Sequence, residues 1–195
     1  MAKTPDRPAP SALSNLISGN QAKSESTSLP LEVLHNLQYQ HGWRDLQIYV
    51  ITNDSRTPEL LALEFPSHSL QTPRSHVPPK VYLISGLPPC HGYLHPDFQN
   101  NLIRRKISES SVTVQREWVV PMSLGEKWTL QRLSRVFDAM PPRSPLKAEG
   151  GVELAEWRDA KRVLLGMLST SGMGGDGTIV YYIMQEGEVK PRQNG

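Results

Sequence analysis

In "SLPLEVLHNLQYQHG" the positions Leu31, Leu34, Leu37 and Gln38 recur at helical spacing, with Ser28 placed to cap the helix, Pro30 in its first turn and Gly42 at its end. The period then changes. In "WRDLQIYVI" Trp43, Asp45, Gln47, Tyr49 and Ile51 alternate with Arg44, Leu46, Ile48 and Val50, which predicts a strand buried on one face and partly covered on the other. "KVYLISGL" predicts a second strand, stopped by Gly86 and the Pro88-Pro89 pair. "HPDFQNNLIRRKISES" predicts a short helix capped near Asp97, and "VTVQREWVVPM" a third strand ending at Pro121. "TLQRLSRVFDAMPP" carries the clearest helical signal. Thr129 is its cap, Leu130, Leu133, Val136, Phe137 and Met140 form its apolar face, and Pro141-Pro142 stop it. The closing segments "RVLLGML" and "TIVYYIM" are apolar on both faces, as strands are in the middle of a covered sheet or against a partner.

Between these elements the pattern lapses. Residues 1–28 are rich in Ser, Pro, Ala and Lys and poor in large apolar side chains, so burial cannot offset the entropy of ordering them, and a flexible tail is expected. Residues 53–79 hold Pro58, Pro66, Pro73, Pro78 and Pro79 around the short apolar patch "LLALEF". They read as a long proline-rich insertion with one short element. A linker is expected at about 141–151, and no internal repeat is present. The 195 residues then make one domain, spanning 29–195, with a proper core.

Composition narrows the function. With 21 basic and 19 acidic residues there is no global nucleic-acid footprint, which leaves only local basic patches. Cys90 is the only cysteine, so no internal disulfide forms and a reducing compartment suits the chain. No apolar run reaches bilayer length and the N-terminus lacks a signal-peptide core. A soluble intracellular protein is expected, with no membrane insertion.

Three constellations carry candidate chemistry. The loop "STSGMGGDG", with Gly172, Gly174, Gly175 and Gly177, has the glycines of a phosphate cradle. Such a cradle needs a helix N-terminus after it, and here a strand follows, so the loop reads as a hairpin connection. Cys90, His91 and His95 are metal-ligating residue types, but a structural zinc takes four ligands, and His35, His41, His68 and His76 offer no matching spacing. A proline-stiffened turn is the plainer reading, and no metal or cofactor is predicted. Arg104, Arg105 and Lys106, then Arg132 and Arg135, then Arg158, Lys161 and Arg162, are candidate contacts for RNA phosphates or else solvated helix faces.

Three segments, in order, resemble the small non-catalytic subunit, subunit fifteen, of eukaryotic tRNA-splicing endonuclease in its fungal form. They are "LEVLHNLQYQHGWRDLQ"; "LISGLPPCHGYLHPDFQ" with "REWVVPMSLGEKWTLQRLSRVFDA"; and "KRVLLGML" with "TIVYYIMQEGEVKPRQN". The resemblance spans about 29–195. It implies an α/β (α+β) domain, a mixed sheet flanked by helices like the C-terminal domain of the splicing endonucleases. It also implies a four-subunit enzyme that excises introns from precursor tRNA, in the nucleus or in the cytoplasm, at the mitochondrial surface in some fungi.

In that family other subunits cleave with a Tyr, a His and a Lys: a ribose 2′-hydroxyl attacks the adjacent phosphate, assisted by a base, an acid and a cation. Lys161 resembles the position of that lysine. The last histidine before it is His95, and Tyr181 and Tyr182 follow it, so the set is incomplete and a non-catalytic subunit is expected. An active RNase using Lys161 with His91 or His95, and a free-standing RNA-binding module, are the alternatives. The resemblance further implies that Thr178, Ile179, Val180, Tyr181, Tyr182, Ile183 and Met184 form a strand that pairs with a catalytic subunit of the type numbered thirty-four, or with a second copy when isolated. It assigns Gly174, Gly175 and Asp176 to a loop docking on the opposite dimer. The other reading of the strand is a central position in the chain's own sheet.

Overall fold

The computed structural model describes residues 25–52, 59–62, 80–148, 161–169 and 177–186. Helix α1 (Glu25–Tyr39) leads into β1 (Arg44–Thr52), β2 (Glu59–Ala62) and β3 (Val81–Leu87). Helix α2 (Pro96–Arg105) and a single 3-10 turn (Glu109–Ser111) precede β4 (Glu117–Ser123), α3 (Leu130–Ala139), β5 (Arg162–Leu168) and β6 (Ile179–Gln185). The strands form one mixed sheet in the order β2-β1-β3-β4-β5-β6. All neighbours are antiparallel except β4 and β5, whose parallel register aligns Val119 with Leu164 and Ser123 with Leu168. A parallel pair needs a crossover, and α3 lies in it.

Helix α1 covers one face of this sheet. Leu31, Val33 and Leu37 pack on Trp43, Ile48, Ile84 and Val119. Helix α3 covers the other, with Val136, Phe137 and Met140 against Leu83, Val120, Met122, Val163 and Leu165. A third, separate cluster joins α2 to the chain around it: Phe98 and Leu102 bury their side chains with Leu94, Val112, Leu146 and Ala148. Val112 and Ala148 also form a bridge, so residues 146–148 are packed structure.

Several local expectations are corrected. Ser28 does not cap α1, because the helix already runs from Glu25, with Pro30 inside it. Gln38 is exposed and Val33, not part of the expected stripe, is buried. The helix does stop before Gly42, whose φ of 65° is a conformation glycine adopts without strain. In β1 the simple alternation fails near its start. Asp45 has a φ of 51° and the register with β3 slips between Arg44 and Gln47, so Trp43 shares the α1 face with Ile48. In α2 the cap is His95, whose Nδ1 accepts from the Asp97 amide; Asp97 lies in the first turn. Strand β4 continues through Pro121 to Ser123. Its pairing with β3 spans only Glu117–Val119, so proline's missing N–H falls where β5 is the one ladder partner. Thr129 does cap α3, accepting from the Arg132 amide, but Leu130 is 85% exposed and lies off the buried face.

Candidate functional site

The last strand settles where the apolar C-terminal segment sits. β6 pairs antiparallel with β5, Arg162 opposite Gln185 and Leu168 opposite Ile179, and it ends the sheet. The central-strand reading is therefore overturned: among the described residues nothing pairs with the outer side of β6. Thr178, just before it, accepts a hydrogen bond from the Ser169 amide at 3.0 Å and closes the hairpin ends. Gly174, Gly175 and Asp176, and Arg158, lie outside the described residues.

Alternation along β6 divides its side chains. Ile179 and Tyr181 turn to the α1 face, and Met184 packs on the α3 side. Tyr181 fits because Gly166 lies opposite it on β5: a Cβ there would sit 3.3 Å from the Tyr181 ring, 3.2 Å from Val119 and 3.1 Å from Val33. The Tyr181 hydroxyl donates to Asn36 Oδ1 at 2.7 Å, and His41 meets the ring edge-on. Burial pushes that hydroxyl well above the ordinary tyrosine range, so it stays protonated. Val180, Tyr182 and Ile183 keep 43%, 54% and 42% of their surface exposed on an unpaired edge. Such an edge offers both free backbone groups and apolar area to another chain.

Beside this edge, on the α1 face, lies a cavity of about 250 Å³ lined by His41, Trp43, Cys90, Tyr93, Tyr181 and Ile183, with Glu117 and Arg162 in its wall. Glu117 is buried and receives two guanidinium groups. Arg143 donates to both carboxylate oxygens, at 3.0 and 3.1 Å. Arg162 donates from Nε at 3.1 Å, closes a second bond from Nη2, and reaches the Tyr93 carbonyl at 3.0 Å. Burial by itself would raise the Glu117 carboxyl, but the hydrogen bonds and charges of Arg162 and Arg143 outweigh it and hold the group below its ordinary value.

These contacts correct the predicted RNA set. Arg162 is 3% exposed and consumed by the ion pair, so it meets no phosphate. Lys161 is half-buried. Its Nζ donates to the Phe137 carbonyl at 2.7 Å near the C-terminal end of α3, where orphan carbonyls need donors. The histidines named beside it are occupied elsewhere: His91 Nε2 lies 3.0 Å from the Val112 carbonyl, and His95 caps α2. Sequence reasoning missed Glu117 and Arg143. The available signal was a charged residue opening the apolar run "EWVVPM", a position that burial tolerates only with a partner.

The comparisons with known proteins match this chain almost end to end. The model of the Sen15 protein family covers residues 32–194. The chain belongs to the Sen15 protein family. Over 186 residues it is 32% identical to a Neurospora crassa protein named "Probable tRNA-splicing endonuclease subunit tsp-1", an alignment that takes in 92% of this chain and 71% of that one. No solved structure matches. For a Sen15-family chain the described site is thus an apolar sheet edge with a lined cavity beside it, in whose wall the Arg162 guanidinium and the Tyr181 hydroxyl are engaged inside the fold.

Proposed function

We propose that this chain is a non-catalytic structural subunit of a tRNA-splicing endonuclease. It pairs through β6 with a catalytic subunit, of the type numbered thirty-four, and so supports intron excision from precursor tRNA. The observation that carries the reading is β6 itself: an apolar strand at the sheet's end, with Tyr182 and Ile183 exposed, in a Sen15-family chain whose relative bears an endonuclease-subunit name. Adding a partner strand would satisfy the open backbone groups and cover those side chains together.

Transesterification by a ribose 2′-hydroxyl needs a base, an acid and a cation converging on one phosphate. Lys161 and Arg162 are held by a helix carbonyl and a buried carboxylate, and Tyr181 is protonated and bonded to Asn36. Groups so engaged support a scaffold role.

Pull-down of the tagged full chain is the direct test. Tyr182→Asp with Ile183→Asp should abolish recovery of the catalytic subunit; undiminished recovery would refute pairing through β6. Recovery of only a second copy of the chain would replace the heteromeric reading with a homodimer. Lys161→Ala should leave precursor-tRNA cleavage by the assembled complex within about twofold, because it removes only a helix-end hydrogen bond worth about 0.5–1.5 kcal/mol. Cleavage by the purified chain alone, lost in Lys161→Ala, would establish the RNase alternative.

A further inference from the structure

The cavity beside β6 shares two wall residues, Tyr181 and Ile183, with the strand that ends the sheet. Ile183 stands opposite Leu164 on β5, and Leu164 lines the cavity too, so the hollow begins where the sheet stops. Much of the remaining wall is apolar and stiff. Leu37 comes from α1, and Pro88 and Pro89 from the turn after β3. Trp43 lies close against β3 because Gly86 leaves it room: a Cβ there would sit 2.9 Å from the Trp43 ring. The polar groups named in the wall are spent within the fold, Arg162 on Glu117 and the Tyr181 hydroxyl on Asn36.

From this we infer that the cavity is a side-chain pocket for one aromatic residue of the strand that pairs with β6. It rests on the reading that a catalytic subunit pairs there, and it names what that partner's strand must carry.

A strand added to β6 alternates its side chains between the two faces, and those on the α1 face come within about 5 Å of their neighbours on β6, Tyr181 and Ile183 among them. Strand addition thus delivers side chains to the mouth of the cavity. In this mode of recognition the backbone ladder supplies affinity, and pockets beneath alternate side chains supply specificity. Size selects the occupant. At about 250 Å³ the cavity falls below the roughly 300–1,000 Å³ of small-molecule sites, yet exceeds the about 150 Å³ of an apolar cavity that admits benzene. One large ring fits it. Chemistry selects the same way: a buried polar group would find Arg162, Glu117 and the Tyr181 hydroxyl already bonded, whereas a ring would meet Trp43, Tyr93 and Tyr181. A second copy of this chain does not supply that ring. Paired antiparallel through β6, it would bring Ile179, Tyr181 and Ile183 to the same face, and its Tyr181 is bonded to its own α1. Tyr182 stands on the other face by alternation.

Two positions can fill the cavity without altering the edge. An added Cβ at Gly92 meets nothing within 4 Å, Cys90 is exposed, and both line the cavity. In pull-down of the tagged full chain, Gly92→Trp and Cys90→Phe should each lower recovery of the catalytic subunit at least about tenfold, as loss of a central anchor does, with the melting midpoint unchanged. Gly125→Trp, at an equally open glycine in the turn after β4, should keep recovery within about twofold of the parent. A second measurement needs no variant: partner binding should slow alkylation of Cys90, the chain's single cysteine, by N-ethylmaleimide at least about tenfold. Alanine at each aromatic residue of the partner's pairing strand in turn should reveal one position that reproduces the loss, and combining it with Gly92→Trp should lose nothing further. Parent-like recovery by both filling variants would overturn the proposal, as would an unchanged alkylation rate, an equal loss in Gly125→Trp, or the lack of any such aromatic position. Those results, with Tyr182→Asp and Ile183→Asp still abolishing recovery, would remove the pocket and leave the pairing through β6. No recovery by the parent would remove the pairing, and the pocket with it.

Discussion

Glu117 shows how one residue joins distant parts of the chain. β4 supplies the carboxylate, β5 supplies Arg162, the segment after α3 supplies Arg143, and Arg162 passes the connection to the Tyr93 carbonyl. Because the folded carboxyl lies below the ordinary 4.5 of glutamate, its contribution to stability is complete above that value. It drains away as pH falls through the folded value. Glu117→Gln leaves two guanidinium charges facing a neutral amide in a buried site, so a loss of about 3–5 kcal/mol is expected at neutral pH. Thermal melts across pH would show it as a lowered midpoint at pH 7 together with a shallower fall in acid. Equal midpoints for variant and parent at neutral pH would mean that the cluster contributes nothing net. The pairing itself was not legible in the sequence, since Glu117 and Arg162 stand 45 residues apart.

At the scale of elements, periodicity located both well-patterned helices and the strands after them, because a segment's apolar period records which of its own faces is buried. Boundaries moved where a neighbour intervened. Pro121 would end an isolated strand, yet β4 runs on because β3 no longer pairs there. Trp43 changed face because a bulge at Asp45 shifts the alternation by one. Leu130 fits the helical stripe of α3 but sits in its first turn beyond the sheet's cover, and stays exposed. For β6 the prediction concerns the isolated chain. Tyr182 and Ile183 are exposed, so changing both to Asp should cost only about 1–2 kcal/mol, the sum of two surface substitutions with their loss of strand preference. Circular dichroism melts would detect that modest shift. Global unfolding of the double variant would instead make these side chains part of the fold's own core.

At the scale of the whole molecule, the two sheet-face clusters share strands, while the α2 cluster rests on loops and one bridge. Few ladder bonds hold it, so it should open before the sheet does. Native-state hydrogen exchange should show the Ile107, Val112 and Thr113 amides exchanging at lower free energy than those of Val119, Val120 and Leu165. Equal values would make the molecule a single cooperative unit.

Local order was written in the residues themselves. The helical period of α3, the alternation of β1 and the doubly apolar closing strands all follow from side chains a few positions apart, and their order along the chain carries the family resemblance. Tertiary structure alone decided that β6 is an edge rather than a centre, because strand order depends on ladder partners that no local period encodes. It also decided which cations remain outside. Arg162 and Arg104 look alike in sequence, but one lies within about 3 Å of a buried carboxylate and the other faces solvent, and that distance determines whether a charge is available to a partner.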